Sequence, residues 1–425
     1  MKSSLSQINI LKNKKEPIPD IIHFVWIGDI KKANTDYIGV WHRTNIDKEI
    51  YLWCDENACL INFFHDSIHN YVLSGNFENI DIIEKNIKND AYNYLLPKLM
   101  AGGNFDDTII KFLEENDIPF KSPTRTHLPT FLKNLGMKTK NIAELFTHDF
   151  KGFLRYYYYE IILRGNLASA SDIARLLIIY QHGGIYIDVD TLPYIDNVFH
   201  ETNTFLKEHS ILEDDVILMM KTKALITTIN SSDLSITDSK KVDAPSWRNN
   251  QELYIKIAEL ISVDMGNFSI HDILPLGRLS VHKNLLSLAS LKRLRGIYFN
   301  NVLISHVGSK VIRIILRVMK KRYAFLEKNN CIFDFCSNER QDQYLSRLMG
   351  WRSELITKKF CVTPALTGPG LIVEVLLGLA YTIFELDSST SPSFIAEYMQ
   401  EEKLGIAFYR HNLDTPEGMT SAWRK

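Results

Sequence analysis

The alternation of hydrophobic and polar positions is sharpest between Asn166 and Pro193, NLASASDIARLLIIYQHGGIYIDVDTLP. Ile173, Leu176, Leu177 and Tyr180 recur at i, i+3, i+4 and i+7, the spacing of one buried helical face. That spacing predicts a core helix over Asp172 to Gln181, with Ser169 or Ser171 as its N-cap. Gly183 then offers a left-handed stop free of Cβ strain. In IYIDVD the period changes to two, which predicts a strand with Ile185, Ile187 and Val189 on one face and Tyr186, Asp188 and Asp190 on the other. Two acids therefore share a face at a strand's exit.

The same reading extends along the chain. Pro17 and Pro19 precede IIHFVWI, a β-rich run closed by Gly28 with Trp26 at its exit. Glu49 to Cys54 predicts a second strand, followed by a helix near Asn57 to Val72. Residues 76–165 alternate helical patterns with polar breaks and read as a helical insertion. Its four successive tyrosines, Tyr156 to Tyr159, read as helix packing and surface rather than as a sugar platform. Thr227 to Pro245, rich in Ser, Thr and Asp, predicts a surface loop, residues 251–262 a helix, and GIYFNNVLISH a β-segment carrying Asn300. Lys310 to Tyr323 is basic and amphipathic, with Ile312, Ile315, Val318 and Met319 inward. Its cations suit a membrane or an acceptor, although helical periodicity asks only for the solvated face of a core helix. Residues 328–345 are mostly polar.

Composition narrows the class. A chain of 425 residues that is 45% hydrophobic and 11% aromatic can bury a large core, read as one catalytic domain with insertions. With 49 basic and 50 acidic residues, bulk charge gives no reason to expect nucleic acid as a partner. The five cysteines are odd in number and lack zinc-ligand spacing, which suits free thiols in a reducing compartment. The N-terminus has lysines but no apolar run of secretory length, and Leu371 to Phe384 is short and carries Glu374. A soluble chain with no transmembrane segment is expected.

The chemistry concentrates where the pattern is sharpest. Open α/β sheets present ligand-binding groups at the carboxyl ends of their strands, and Mg²⁺ or Mn²⁺ prefers carboxylate, water and phosphate oxygens. Asp188 and Asp190 stand at such an exit. Asp172 and Arg175, at i and i+3 on the first helical turn, pair an acid with a fork of donors that could grip a polyhydroxylated ligand. Each has a plainer reading: a bare DxD is common, Asp172 and Arg175 would form an ordinary surface pair, Trp26 a core residue, and Asn62 a solvated helix position.

SDIARLLIIYQHGGIYIDVD resembles the DxD core of sugar-nucleotide glycosyltransferases, and NLASASD with GGIYIDVDTLP is especially similar to the glycosyltransferase domain of the large clostridial cytotoxins. HFVWIG, DENACLINFF, FNNVLIS, LTGPG and the terminal Ser421-Ala422-Trp423 resemble further segments of that family, in its order. The resemblance implies an α/β fold, a GT-A-like Rossmann-type mixed sheet flanked by helices with largely helical insertions. It divides one domain, 1–425, into a lead-in at 1–18, the insertion at 76–165, a DxD core at 166–198, a helical subdomain at 305–400 and an active-site-closing loop at 411–425.

The resemblance also implies roles. Val25, Trp26, Asn62, Leu167, Ser171 and Tyr186 would hold the nucleotide, with the Trp26 indole on the uracil. Asp172, Arg175 and Asn300 would hold the sugar. Asp190 would bind Mn²⁺ or Mg²⁺, Asp188 would reach the ribose and sugar or the metal through water, and Ser421 would approach the metal. Trp423 would donate its indole N–H to the leaving diphosphate. Glu417 lies one residue upstream of the family's glutamate position, where Gly418 stands, so either it reaches the metal or it faces solvent. The implied reaction is retaining transfer of a hexose from UDP-glucose or UDP-N-acetylglucosamine, and Phe299 and Asn301 beside Asn300 match neither sugar's pattern. The implied acceptor is a host protein such as a Rho- or Ras-type GTPase, modified by a secreted bacterial effector in the host cytoplasm. Only a short lead-in precedes HFVWIG where the family has long membrane-binding helices, so another delivery route is expected. A glycan acceptor, or a sugar-nucleotide-binding module without turnover, are the rival readings.

Overall fold

The computed structural model describes residues 15–409 apart from 31–32, 34, 76, 122–136, 213, 231–250, 293 and 329–362. A seven-stranded mixed sheet runs through it in the order β4-β3-β2-β5-β8-β7-β9. Its strands are β2 (Ile21–Trp26), β3 (Glu49–Cys54), β4 (Lys138–Asn141), β5 (Gly184–Ile187), β7 (Leu286–Ser290), β8 (Tyr298–Ser305) and β9 (Ala407–Phe408). β1 (Lys15–Pro17) and β6 (Ser280–His282) pair separately as an antiparallel ribbon. β4, β3, β2 and β5 are mutually parallel, and β8 runs antiparallel to β5. The carboxyl ends of β2 and β5 therefore meet the amino end of β8 at one edge.

Alternation along the strands divides the core. Ile22, Phe24, Leu52, Ile185, Ile187 and Ile304 fill one side of the sheet. Val25, Trp53, Tyr186, Leu288 and Leu303 face the other, against the large helical layer. Each fully buried Ile or Leu contributes about 1.5–3 kcal/mol, so two covered faces fix the register of every central strand. A third cluster joins helices His200–Glu208, Asp215–Asn230 and Gln251–Gly266.

The expected site helix is longer than its periodicity indicated, spanning Leu167–His182. Neither Ser169 nor Ser171 caps it: Asn166 does, its side chain accepting the Ser169 N–H at 2.9 Å. The following strand is shorter than expected. It stops at Ile187, because Thr191 N–H turns back to the Asp188 carbonyl at 3.0 Å and closes a turn over residues 188–191. The alternation that put Asp188 and Asp190 on one strand face therefore ends before either acid.

Elsewhere the elements fall near their expected places. The second helix starts at Ile61 rather than near Asn57, since Asp55 and Asp106 carboxylates take the N–H groups of Asn57 and Leu60. The described residues of 76–165 are mostly helical yet also hold β4, the edge strand beside β3. Thr227 to Asn230 end a helix, and the rest of the expected loop lies outside the described residues up to Pro245. The tyrosine run is buried throughout, Tyr156 to Tyr158 ending the helix Lys151–Tyr158 and Tyr159 opening the π-helical turn Tyr159–Arg164, so none of it is surface. Tyr156 stacks on Tyr323, Tyr157 donates to Asp55, Tyr158 stacks on Phe105 and Tyr159 meets Tyr92 edge-on. The basic helix extends over Lys310–Lys328 with Ile312, Ile315 and Met319 buried, and the apolar one over Pro369–Ile383. No described helix is long and apolar enough to cross a membrane.

Candidate active site

The site lies where the carboxyl ends of β2 and β5 face the amino end of β8. β8 pairs with β5 up to Ile187 opposite Val302, and one more bond, Asp188 N–H to the Asn301 carbonyl at 2.8 Å, ties the acidic turn to the same strand. The site helix packs beside them. Asp172 and Arg175, on that helix, are not a surface pair: both are buried, at 6% and 5% exposure.

Every oxygen of Asp172 is engaged. Oδ1 accepts Asn300 Nδ2–H at 2.8 Å and lies 3.3 Å from Arg175 Nη2, and Oδ2 accepts the Thr367 hydroxyl at 2.9 Å. Arg175 donates from Nη1 to the Asn300 carbonyl at 2.7 Å. Its Nη2 sits 3.0 Å from Asp188 Oδ1 and 3.4 Å from Ser171 Oγ. Tyr186 lies under the guanidinium at 4.6 Å and donates its hydroxyl to Asp188 Oδ1 at 2.6 Å, with Ser171 Oγ at 3.4 Å. Six of the expected residues, Ser171, Asp172, Arg175, Tyr186, Asp188 and Asn300, thus form one connected cluster.

Its electrostatics follow from burial. Burial pushes the Asp172 carboxyl above its usual range, opposed by Arg175, Thr367 and Asn300. Burial also works against the Arg175 charge, yet Asp188, Tyr186, Asp172 and Asp190 together hold its pKa above the ordinary arginine value. Tyr186 is raised well above the usual phenol, first by burial. Removing two charges from water costs several kcal/mol per ion.

A second group gathers beyond β2. Gly28 has φ +97°, and a Cβ there would stand 2.6 Å from Asn62 Oδ1 and 3.5 Å from Leu167 Cδ1. Asn62 and Leu167, distant in sequence, therefore converge just past the end of β2, and Gly28 is required by both its backbone and the space. Val25 and Trp26 occupy opposite faces of that strand: Val25 is buried in the helical layer, while half-buried Trp26 packs toward the other side and donates its indole N–H to Asp29 O at 2.9 Å. Ser421, Trp423 and Glu417 lie outside the described residues.

Asp188 and Asp190 are half-buried on an open turn. Among the described residues no group of three His, Cys, Asp or Glu forms a metal cage. Two hard carboxylates, both half-buried, fit Mg²⁺ or Mn²⁺, which keep waters and substrate phosphates in their coordination shell. Of three supporting residues, Trp41 carried no functional signal in the sequence, while Thr367 appeared there only within LTGPG and Asn301 only as a neighbour of Asn300. Thr367 holds Asp172 from 195 positions away. Asn301 donates to Thr191 Oγ1 at 3.3 Å, and Trp41 donates to the Thr191 carbonyl at 2.7 Å, both steadying the turn that carries the acids.

Residues 20–361 match the family described as the TcdA/TcdB catalytic glycosyltransferase domain. The chain belongs to this family. It is 25% identical over 364 residues to Toxin A of Clostridium novyi, a stretch covering 79% of this chain and 16% of that protein. It is 28% identical over 229 residues to Toxin B of Clostridioides difficile, covering 47% and 9%. The chain thus spans a small part of the length of these toxins. The catalytic domain of alpha-toxin from Clostridium novyi shares its fold, with TM-score 0.67 at 19% identity over 100% of this chain and 83% of that one. So does the UDP-bound glycosyltransferase domain of the YGT toxin, with TM-score 0.60 at 18% identity over 96% and 82%. The fold expected from the resemblance, a GT-A-type mixed sheet wrapped in helices, is the fold present. The chain is a glycosyltransferase domain of the clostridial toxin family, and the cluster around Asp172 and Arg175 stands beside the carboxyl ends of β2 and β5.

Proposed function

We propose that this domain transfers a hexose, glucose or N-acetylglucosamine, from a UDP-sugar to a side-chain oxygen of a host protein, with retention at the anomeric carbon. The observation that carries the reading is the buried Asp172–Arg175–Asn300 cluster abutting the paired acids of the 188–190 turn. Such a cluster offers one charged acceptor and a fork of charged donors in a dry wall, the pairing that grips vicinal hydroxyls. The UDP in the YGT toxin domain, a structure of the same fold, supports the nucleotide half.

In this reading the uridine lies at the end of β2, where Asn62 and Leu167 meet Gly28, with Val25 and Trp26 at that strand's end. Asp172, Arg175 and Asn300 orient the sugar. Asp188, held by Tyr186 and Arg175, faces the ribose and sugar. Asp190 and Asp188 would hold Mn²⁺ or Mg²⁺, which supplies Lewis-acid neutralisation of the diphosphate. The bond from the anomeric carbon to UDP breaks with its electron pair going to UDP. A bond from the acceptor oxygen forms on the same face, and the acceptor proton leaves with the diphosphate. By family resemblance Ser421 and Trp423 cover the diphosphate, and exclusion of water protects the reactive sugar. A Rho- or Ras-type GTPase reached in the host cytoplasm is the acceptor this family membership favours.

The test is incubation of the purified chain with Mn²⁺ and a panel of UDP-sugars, with labelled donor and host-cell lysate in parallel and mass spectrometry of the labelled products. Asp190→Ala abolishes hydrolysis and transfer; undiminished turnover refutes the assignment of the acids. Label on glycans alone would replace the protein acceptor. UDP-sugar binding without any turnover would make the chain a binding module.

A further inference from the structure

A one-turn helix, Thr363–Leu366, lies against the amino end of the site helix and ends in the LTGPG segment. Thr363 and Thr367 bracket it, 2% and 0% exposed. Four positions apart on a helical turn, they share one face, and they reach the site helix at two points. Thr363 Oγ1 accepts Asn166 Nδ2–H at 3.0 Å, and Asn166 is the residue that caps that helix. Thr367 Oγ1 donates to Asp172 Oδ2 at 2.9 Å. The strap is closed on itself, since the N–H groups of Thr367 and Gly368 both reach the Thr363 carbonyl, at 3.0 and 3.1 Å.

Buried charges hold the strap from behind. Arg164 donates to Thr363 Oγ1 at 2.7 Å and to both oxygens of Glu160 at 2.8 and 2.9 Å. Glu160, fully buried in the π-helical turn, also takes the Tyr323 hydroxyl at 2.5 Å. Arg322 donates to the Ala365 carbonyl. Apolar side chains could fill this volume at equal or better stability. What they could not do is fix the direction of two hydroxyls.

We propose that Thr367 is a positioning residue for the donor sugar: by holding one oxygen of Asp172 it sets the carboxylate, and through it Arg175, in the orientation that receives sugar hydroxyls. Thr363 registers the strap on the helix cap. This rests on the sugar-binding reading of Asp172 given above. Asn300 anchors Oδ1 and Thr367 anchors Oδ2, so the plane of the carboxylate is fixed, with Arg175 Nη2 3.3 Å from Oδ1. Thr367 is fully buried and acts only through Asp172. Its loss is therefore felt by the sugar and not by the uridine diphosphate.

The experiment compares Thr367→Val, which keeps shape and removes the donor, with Thr367→Ser, which restores it. Hydrolysis of UDP-glucose and UDP-N-acetylglucosamine is measured beside calorimetric binding of UDP alone, all with Mn²⁺ and the full chain. A hydrogen bond to a charged group is removed, so kcat/KM for the hydrolysed donor falls about 10- to 100-fold in Thr367→Val. UDP affinity stays within about twofold, and Thr367→Ser recovers to within about threefold of the wild-type rate. Should Thr367→Val not fold, Thr367→Ala carries the same comparison. Equal loss of UDP and UDP-sugar binding, or failure of serine to rescue, assigns Thr367 a packing role and overturns the proposal. An active wild type beside an equally active Thr367→Val sinks the positioning role alone, whereas a wild type that neither binds nor hydrolyses any UDP-sugar sinks the sugar-binding reading as well.

Discussion

The two ends of β5, a strand of only four residues, solve the burial of polar groups in opposite ways. At the amino end Gly183 and Gly184 have φ +65° and +85°, and a Cβ on either would run into backbone, 2.8 Å from Val307 N or 2.6 Å from Ile21 O. His23, 1% exposed, bridges that end, its Nε2 3.0 Å from the Gly183 carbonyl and its Nδ1 3.1 Å from the Trp53 indole N–H. Because the indole can only donate, Nδ1 accepts and the proton sits on Nε2 of a neutral ring. Burial first, then the neighbouring His182, lowers its pKa to about 3. At the carboxyl end Asp172 and Arg175 are also buried, and there a guanidinium is held among acids. A neutral network is enough to knit strands together, so under the proposed function the desolvation cost at the other end serves the sugar rather than the fold.

The largest expected effect breaks the charged end. Arg175→Met leaves Asp172 buried without its cationic partner, and breaking such a pair costs about 3–5 kcal/mol. Chemical denaturation should register that loss, and UDP-sugar hydrolysis should vanish with it. Adding Asp172→Asn to the same chain should recover part of the stability and none of the turnover. If Arg175→Met cost less than about 1 kcal/mol, the value of an exposed pair, the contrast between the two ends would disappear.

The sequence made one half of this contrast legible. Ile173, Leu176 and Leu177 are fully buried and β2, β3 and β8 fall where their patterns put them, because burial on sheet and helix faces is periodic. β4 escaped notice because Lys138–Asn141, KTKN, is an edge strand with no apolar alternation to read. The spacing of Asp172 and Arg175 was visible, but their burial was not. It depends on Asn300 and Thr367, 128 and 195 positions from Asp172, and no local pattern encodes contacts at that separation. The strand's early stop at Ile187 depends on one backbone bond of the 188–191 turn, which side-chain alternation does not report. Nor does a histidine between two apolar residues announce that it will be neutral.

The next effect sharpens the amino end. In the unfolded chain His23 takes a proton below about pH 6.5, while in the fold it stays neutral down to about 3. The unfolded state binds more protons in that window, so the stability is complete above it and declines as pH falls from 6.5 toward 3. At pH 5 the decline amounts to about 2 kcal/mol from His23 alone. His65, lowered to about 4 by burial, adds in the same direction. His23→Gln, which can still donate to Gly183 O, should shrink the loss between pH 7 and pH 5 by about 2 kcal/mol, read from urea titrations at the two pH values. An unchanged loss would mean that the histidine end is not held neutral.

The smallest expected change in stability comes from the residue with the greatest expected role in turnover. Asp190 sits half-buried on the turn beyond β5, and its charge acts on Arg175 from outside the buried cluster. Asp190→Asn keeps the shape of the side chain, and a partly solvated substitution of this kind shifts stability by about 0.5 kcal/mol or less. Turnover of UDP-sugar, by contrast, should be lost, because an amide is a far poorer ligand for a hard divalent cation than a carboxylate. The measurement pairs a thermal melt without ligand with hydrolysis in Mn²⁺. A melt lowered as far as that of Arg175→Met would place Asp190 inside the structural cluster and erase the division between the buried charged cluster and the half-buried turn that carries Asp188 and Asp190. An unchanged melt with lost turnover keeps that division, since the carboxylate would then matter to the reaction far more than to the fold.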